Sequence, residues 1–321
     1  MTLIPRVYVG TVSQGIFRSE DGGQTFTRRS VGMNYECDVR ALVSHPLDPK
    51  VLYAATSEGL YRSGDAGERW ERVDSPMNGL VVWSIAIDPR TPETLYVGTR
   101  PARLFCSRDG GRGWIELRAP FHPHCNNIIF NRVTTILSDP AEPARLWAGV
   151  EIDAIWRSDD RGESWSPQES GLSSRDIHAM IVVPGGGLLA STNNDLNESR
   201  DGGRTWTARR LAEKAEWPYF RGMAQKADDP SVIFLGNGDA PPGRVGALLV
   251  SRDGGARWER SKLPCVPNST IWGFAVNRAN PDRIYAHSVS GELYESIDAG
   301  HSWTKLPREF GEIRSLLWLA T

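Results

Sequence analysis

"SRDGGRTW", Ser199 to Trp206, packs an acid, two glycines, two arginines and an aromatic ring into eight residues. Read alone, it has the content of an active site. It recurs, however, as "SEDGGQTF" from Ser19, "SGDAGERW" from Ser63, "SRDGGRGW" from Ser107, "SDDRGESW" from Ser158, "SRDGGARW" from Ser251 and "SIDAGHSW" from Ser296. The common frame is S-x-D-x-G-x-x-W/F, and successive serines stand 44, 44, 51, 41, 52 and 45 residues apart. A period of roughly 40–50 residues marks a repeat architecture, and that decides how any one copy is read.

Each period also carries a proline turn before a β-rich pair, as in "SHPLDPKVLYAATSEGLYRS" from Ser44 and "IDPRTPETLYVGTRPARLFCS" from Ile87. An inner strand such as "VWSIAI" leads to a second such as "LYVGT" and a third such as "RLFCS". The octapeptide follows, and a fourth strand begins at its closing Trp. Four strands per period predict a propeller blade. The chain opens on a second strand, "RVYVGT", and finishes on an inner strand, "EIRSLLWLAT" from Glu312. Pairing those two ends removes the free sheet edges. The expected fold is all-β, a single seven-bladed β-propeller over 1–321. Blade 1 is 6–31 plus 312–320, and the others are 38–74, 80–118, 131–168, 175–210, 219–262 and 270–307.

Composition excludes several classes. A formal charge of −2 over 321 residues leaves no basic footprint for nucleic acid. No apolar run approaches the roughly 18 residues of a membrane span. The opening "MTLIPRVYVGT" lacks a basic region followed by a long apolar one, so no secretory signal is expected there. Cys37, Cys106, Cys125 and Cys265 form no C-x-x-C pair and are expected to be reduced thiols in a cytoplasmic protein.

The octapeptide reads as structure. Its Asp can accept hydrogen bonds from its own turn, its second Gly position permits positive φ, and Trp70, Trp114, Trp165, Trp206, Trp258, Trp303 and Phe26 supply wedges. A catalytic acid is needed once or twice, not once per blade. The frame resembles the Asp-box, or bacterial neuraminidase repeat (BNR), in all seven periods. Sialidases, xyloglucanase-type glycoside hydrolases, sortilin-type receptors and photosystem II assembly propellers share it. The resemblance implies the propeller fold, with the octapeptides on the face away from an active site.

The inner strands carry the functional signal. Aligned, they read "VRALV" from Val39, "VWSIA" from Val82, "VTTIL" from Val133, "IHAMI" from Ile177, "FRGMA" from Phe220, "IWGFA" from Ile271 and "IRSLL" from Ile313. The third position is always small, as crowding near an axis requires. The second is Arg40, Trp83, Thr134, His178, Arg221, Trp272 and Arg314, which no apolar core would hold. Arg40, Arg221 and Arg314 are candidates to clamp a carboxylate or phosphate, with Trp83 and Trp272 flanking a substrate ring. Alternatively each Arg pairs with a nearby acid and lines a wet channel. His178, with Glu36 or Asp176, is the candidate for proton transfer. The three arginines look like the carboxylate-binding triad of sialidases, and Tyr219 with Glu216, or Tyr35 with Glu36, would stand for their Tyr–Glu pair.

Two function classes follow from the same face. One is a hydrolase or lyase acting on a small anionic, glycosidic or aromatic substrate without a cofactor. The other is a non-catalytic scaffold for a protein partner. A third reading is a divalent-metal enzyme with ligands among His122, His124, His178 and His287.

Overall fold

In a computed structural model, described over residues 4–122, 124–125 and 129–320, seven four-stranded antiparallel sheets form a β-propeller. The inner strands are Ile313–Ala320 in blade 1, then Val39–His45, Val81–Ile87, Val133–Ser138, Ile177–Val183, Tyr219–Gln225 and Ile271–Ala275. Blade 1 is closed by both ends of the chain. Pro5–Thr11 pairs antiparallel with Ile313–Ala320, in a register that sets Val7 against Trp318 and Val9 against Leu316. A small hairpin, His124–Cys125 with Ile129–Phe130, stands between blades 3 and 4. Among the described residues no helix is long and apolar enough to cross a membrane. All four cysteines are free.

The core lies between blades. Tyr8 and Ile16 of blade 1 pack on Val39, Leu52 and Trp70 of blade 2, while Val7, Phe17 and Trp318 pack on Tyr285 and Leu306 of blade 7. Polar tips reach across the same interfaces to the fourth residue of the next octapeptide. Tyr8 donates to the Ala66 carbonyl (2.8 Å), Tyr53 to Gly110 (3.1 Å) and the Trp147 indole to Gly202 (3.0 Å).

The octapeptide itself is a closed hydrogen-bond unit. Ser199 Oγ donates to Asp201 Oδ1 (2.8 Å) and accepts from the buried Gly203 N–H (2.8 Å). Asp201 accepts from the Thr205 N–H and hydroxyl (2.9 and 2.7 Å), and the Trp206 indole donates to the Gly203 carbonyl. The Thr205 N–H and hydroxyl hold the Asp201 carboxyl down at about 2. Gly202 and Gly203 both take positive φ (71° and 86°), which explains glycine there. Every bond of the carboxylate is made inside the turn.

Each inner strand is bulged near its start, and that of blade 2 shifts register again between Ser44 and His45. The register with its neighbour slips between Val39 and Ala41, Val82 and Ser84, Val133 and Thr135, Ile177 and Ala179, Phe220 and Met223, and Ile271 and Gly273. In blade 1 it slips between the partners of Ser315 and Ile313. The residues skipped are those of the second position: Arg40, Trp83, Thr134, His178, Arg221 (with Gly222), Trp272 and Arg314. A bulged residue leaves the ladder and its side chain is re-aimed. The small third position has a steric cause, because a Cβ on Gly98 would strike Ser84 and Val133, and one on Gly149 would strike Thr135 and Ile177.

Candidate functional site

The bulges stitch the blades together. Ser84 Oγ donates to the Val133 carbonyl (2.7 Å), Thr134 Oγ1 to Ile177 (2.7 Å), and Ser191 Oγ to Arg221 (2.5 Å). His178 belongs to this series: its Nδ1 lies 2.6 Å from the Phe220 carbonyl, so Nδ1 carries the hydrogen. The Nε2 lone pair then faces Asp176 Oδ1 at 3.4 Å and the Tyr219 hydroxyl at 3.5 Å. Burial pushes the His178 pKa down, and the Arg221 charge adds to it. Burial would raise Asp176, but nearby positive charges, those of Arg221 and Arg132 among them, hold it below its ordinary range. Tyr219 is raised by burial and stays a phenol.

Around this group stands a ring of guanidinium groups. Arg40 lies over the Trp83 ring at 4.8 Å and Arg132 over the same ring at 4.0 Å. Arg221 and Arg314 share Trp272, at 4.1 and 4.6 Å. Burial lowers Arg314 to about 10; Glu312 opposes that, and the repulsion of Arg221 and Arg40 reinforces it. Arg40, Arg221 and Arg314 therefore do converge. Each also has an acid: Arg40 pairs with Asp38 (2.5 Å), Arg314 with Glu312, and Arg132 with Glu151, which Arg221 approaches at 4.0 Å. Arg40 and Arg314 thus pair with nearby acids, as the channel-lining reading expects.

Several expectations change. Trp83 and Trp272 are covered by arginines, so they hold the cations in place instead of offering free faces to a ligand ring. Glu36 is exposed in the loop before the blade 2 inner strand, beside Ser13, Gln14 and Arg28, and has no bond to His178. Glu216 pairs with Arg260 and not with Tyr219, and Tyr35 lies under Arg28, so neither Tyr–Glu pair forms. Arg132 was missed because it precedes its inner strand by one residue and fell outside the aligned window.

The four histidines do not assemble. His122 Nδ1 is held by Asp153 (2.6 Å), His124 by the Ile129 carbonyl (3.1 Å), and fully buried His287 by the Ser288 carbonyl (3.2 Å). Among the described residues the one group of potential ligands that gathers is Glu151, Asp176 and His178, within 4.8 Å of one another. Arg132 and Arg221 already supply positive charge there.

The comparisons fit this architecture. A family model described as photosynthesis system II assembly factor YCF48 matches residues 162–316. Xyloglucanase Xgh74A of Acetivibrio thermocellus is 26% identical over 274 residues, covering 70% of this chain and 32% of the relative. The chloroplastic photosystem II stability/assembly factor HCF136 of Arabidopsis thaliana is 25% identical over 155 residues, covering 46% of this chain and 36% of the relative. The chain thus spans about a third of either protein's length. Among solved structures, an ancestral GH74 enzyme superposes with a TM-score of 0.65 at 18% identity, covering 91% of this chain and 39% of that one. YCF48 bound to D1 peptide superposes with a TM-score of 0.60 at 18% identity, covering 88% and 86%. The chain is a seven-bladed propeller similar to GH74 xyloglucanases and to photosystem II assembly factors.

Proposed function

We propose that this propeller is a non-catalytic binding module whose arginine ring grips carboxylates on a protein partner. The observation that carries the reading is the convergence of Arg40, Arg132, Arg221 and Arg314, seated in pairs on Trp83 and Trp272. Partly buried guanidinium groups bind carboxylates strongly, and stacking on Trp fixes their planes before a ligand arrives. The peptide carried by the structurally similar YCF48 supports a polypeptide ligand.

Hydrolysis is the weaker reading, although the xyloglucanase relatives speak for it. Glycoside cleavage needs one carboxyl held protonated and a second free to act. Asp38, Glu151 and Glu312 are engaged by arginines, and Asp176 is shifted the opposite way. His178, with a side chain 1% exposed, ties blade 5 to blade 6 and does not present its lone pair to solvent.

Fluorescence anisotropy with a fluorescein-labelled hexaglutamate peptide tests this. Saturable binding that weakens with salt is expected, and Arg40→Ala with Arg221→Ala should weaken it more than tenfold. A native protein that fails to bind, or a double variant that binds equally well, defeats the proposal.

A further inference from the structure

The outer side of the propeller holds a second recess, built from residues separate from the arginine ring. The connection from blade 5 to blade 6 turns through a short 3₁₀ segment, Leu211–Glu213, before entering the blade 6 inner strand. Between it and the third strand of blade 6, Gly246–Ser251, lies a groove of about 560 Å³. That falls within the roughly 300–1,000 Å³ range of small-molecule sites. Leu211, Ala247 and Leu249 form its apolar lining, with Trp258 beside them.

Its polar groups are not all satisfied from within. Arg260 is taken by Glu216, and Arg209 by Glu198 and the Ala256 carbonyl. Among the described residues, the Lys214 ammonium and the Arg257 guanidinium have no ion-pair partner. Arg257 feels Asp253, whose carboxylate accepts the Arg257 backbone N–H at 2.8 Å. Asn237, fully buried, donates through Nδ2 to the Trp217 and Tyr219 carbonyls (2.8 and 2.9 Å), while its Oδ1 has no partner.

We infer that this groove binds a small amphipathic monoanion. Its apolar or aromatic body would lie on Leu211, Leu249 and Trp258, and its acidic head by Lys214 and Arg257. Two exposed cations without an ion pair, beside an apolar lining, specify the complementary ligand: one anion on an apolar frame.

The probe 8-anilinonaphthalene-1-sulfonate carries an apolar frame, one sulfonate and one N–H, and can be titrated into the full chain. One saturable site is expected, with energy transfer from Trp258 that Trp258→Phe reduces. Lys214→Ala with Arg257→Ala should weaken binding about tenfold, as should replacing the probe with uncharged N-phenyl-1-naphthylamine. Arg221→Ala should leave it unchanged, which separates this site from the arginine ring. The inference is overturned if no 1:1 binding is seen, if the double variant binds as the native chain does, or if the uncharged probe binds equally well.

Discussion

Replacing Ser199 with alanine removes one hydroxyl and three hydrogen bonds, one of them a long one from the Asp201 N–H, and it separates the structural reading of the octapeptide from a catalytic one. Ser199 Oγ donates to Asp201 and accepts from the Gly203 N–H, a buried bond. With the hydroxyl gone, that N–H is left without a partner, which costs about 1–3 kcal/mol beyond the roughly 1 kcal/mol of the bond to Asp201. The expected loss is therefore about 2–4 kcal/mol. At roughly 2 cal/mol/K per residue the chain's unfolding entropy is about 0.7 kcal/mol/K, so Tm should fall by about 3–6 °C. Asp201→Asn keeps an acceptor for the Thr205 N–H and should cost only about 1 kcal/mol. Calorimetry on both variants, with Ser107→Ala as a second octapeptide, measures this, and hexaglutamate binding should be unchanged in each. A Ser199→Ala variant within 0.5 kcal/mol of the native protein, or one that loses binding while keeping its Tm, would refute the reasoning.

Trp318, 1% exposed in the closing strand, packs against Tyr285 of blade 7 at 6.1 Å between ring centroids; Trp318→Ala should cost about 3–5 kcal/mol and expose the blade 1 to blade 7 seam to limited proteolysis. His287 is driven down to about 4 by burial, so its folded pKa lies below the unfolded value near 6.5. Stability should fall by roughly 3 kcal/mol as pH drops from about 6.5 to about 4, and His287→Gln should flatten that part of a Tm-against-pH curve. Asp21, Asp160, Asp201 and Asp298 are lowered to about 2, so a second loss should follow as pH falls from about 4 toward 2. Glu151→Gln frees Arg132 and Arg221 from their shared carboxylate, and should tighten hexaglutamate binding several-fold in anisotropy; weaker binding would contradict the ring as the anion site.

The fold was legible because the octapeptide is a self-contained turn. Its bonds close within eight residues, so its sequence is constrained in the same way seven times. The ring closure was legible from the strand types at the two ends. At the site, the odd composition of the second inner-strand position marked Arg40, His178, Arg221 and Arg314. The bulge that explains that composition was not legible, since register depends on the neighbouring strand and on the blade beyond. Arg132 escaped for a related reason: its place beside Trp83 comes from the approach of blade 4 to blade 3, which no alignment of one repeat contains. The wrong role for Trp83 and Trp272 has the same origin, because which ring meets which guanidinium is a contact between blades.

One structural device links the stability of the ring to its chemistry. Crowding near the axis admits only small side chains at the third inner-strand position, so larger ones must leave the ladder through the bulge. In blades 4 and 5 the bulged Thr134 and His178 spend their donors on the next blade's backbone. In blades 1, 2 and 6 the bulged residue is arginine, with donors to spare. Four arginines face four carboxylates: Asp38, Glu151 and Glu312 are directly paired, Asp176 feels Arg221 and Arg132 from farther off, and Arg221 stands no nearer than 4.0 Å to the Glu151 it shares. Like charges this close would disperse into water if their side chains were free, but Trp83 and Trp272 hold two of them each. The fold therefore leaves Arg221 with no carboxylate nearer than 4.0 Å, and an incoming carboxylate can supply a direct partner.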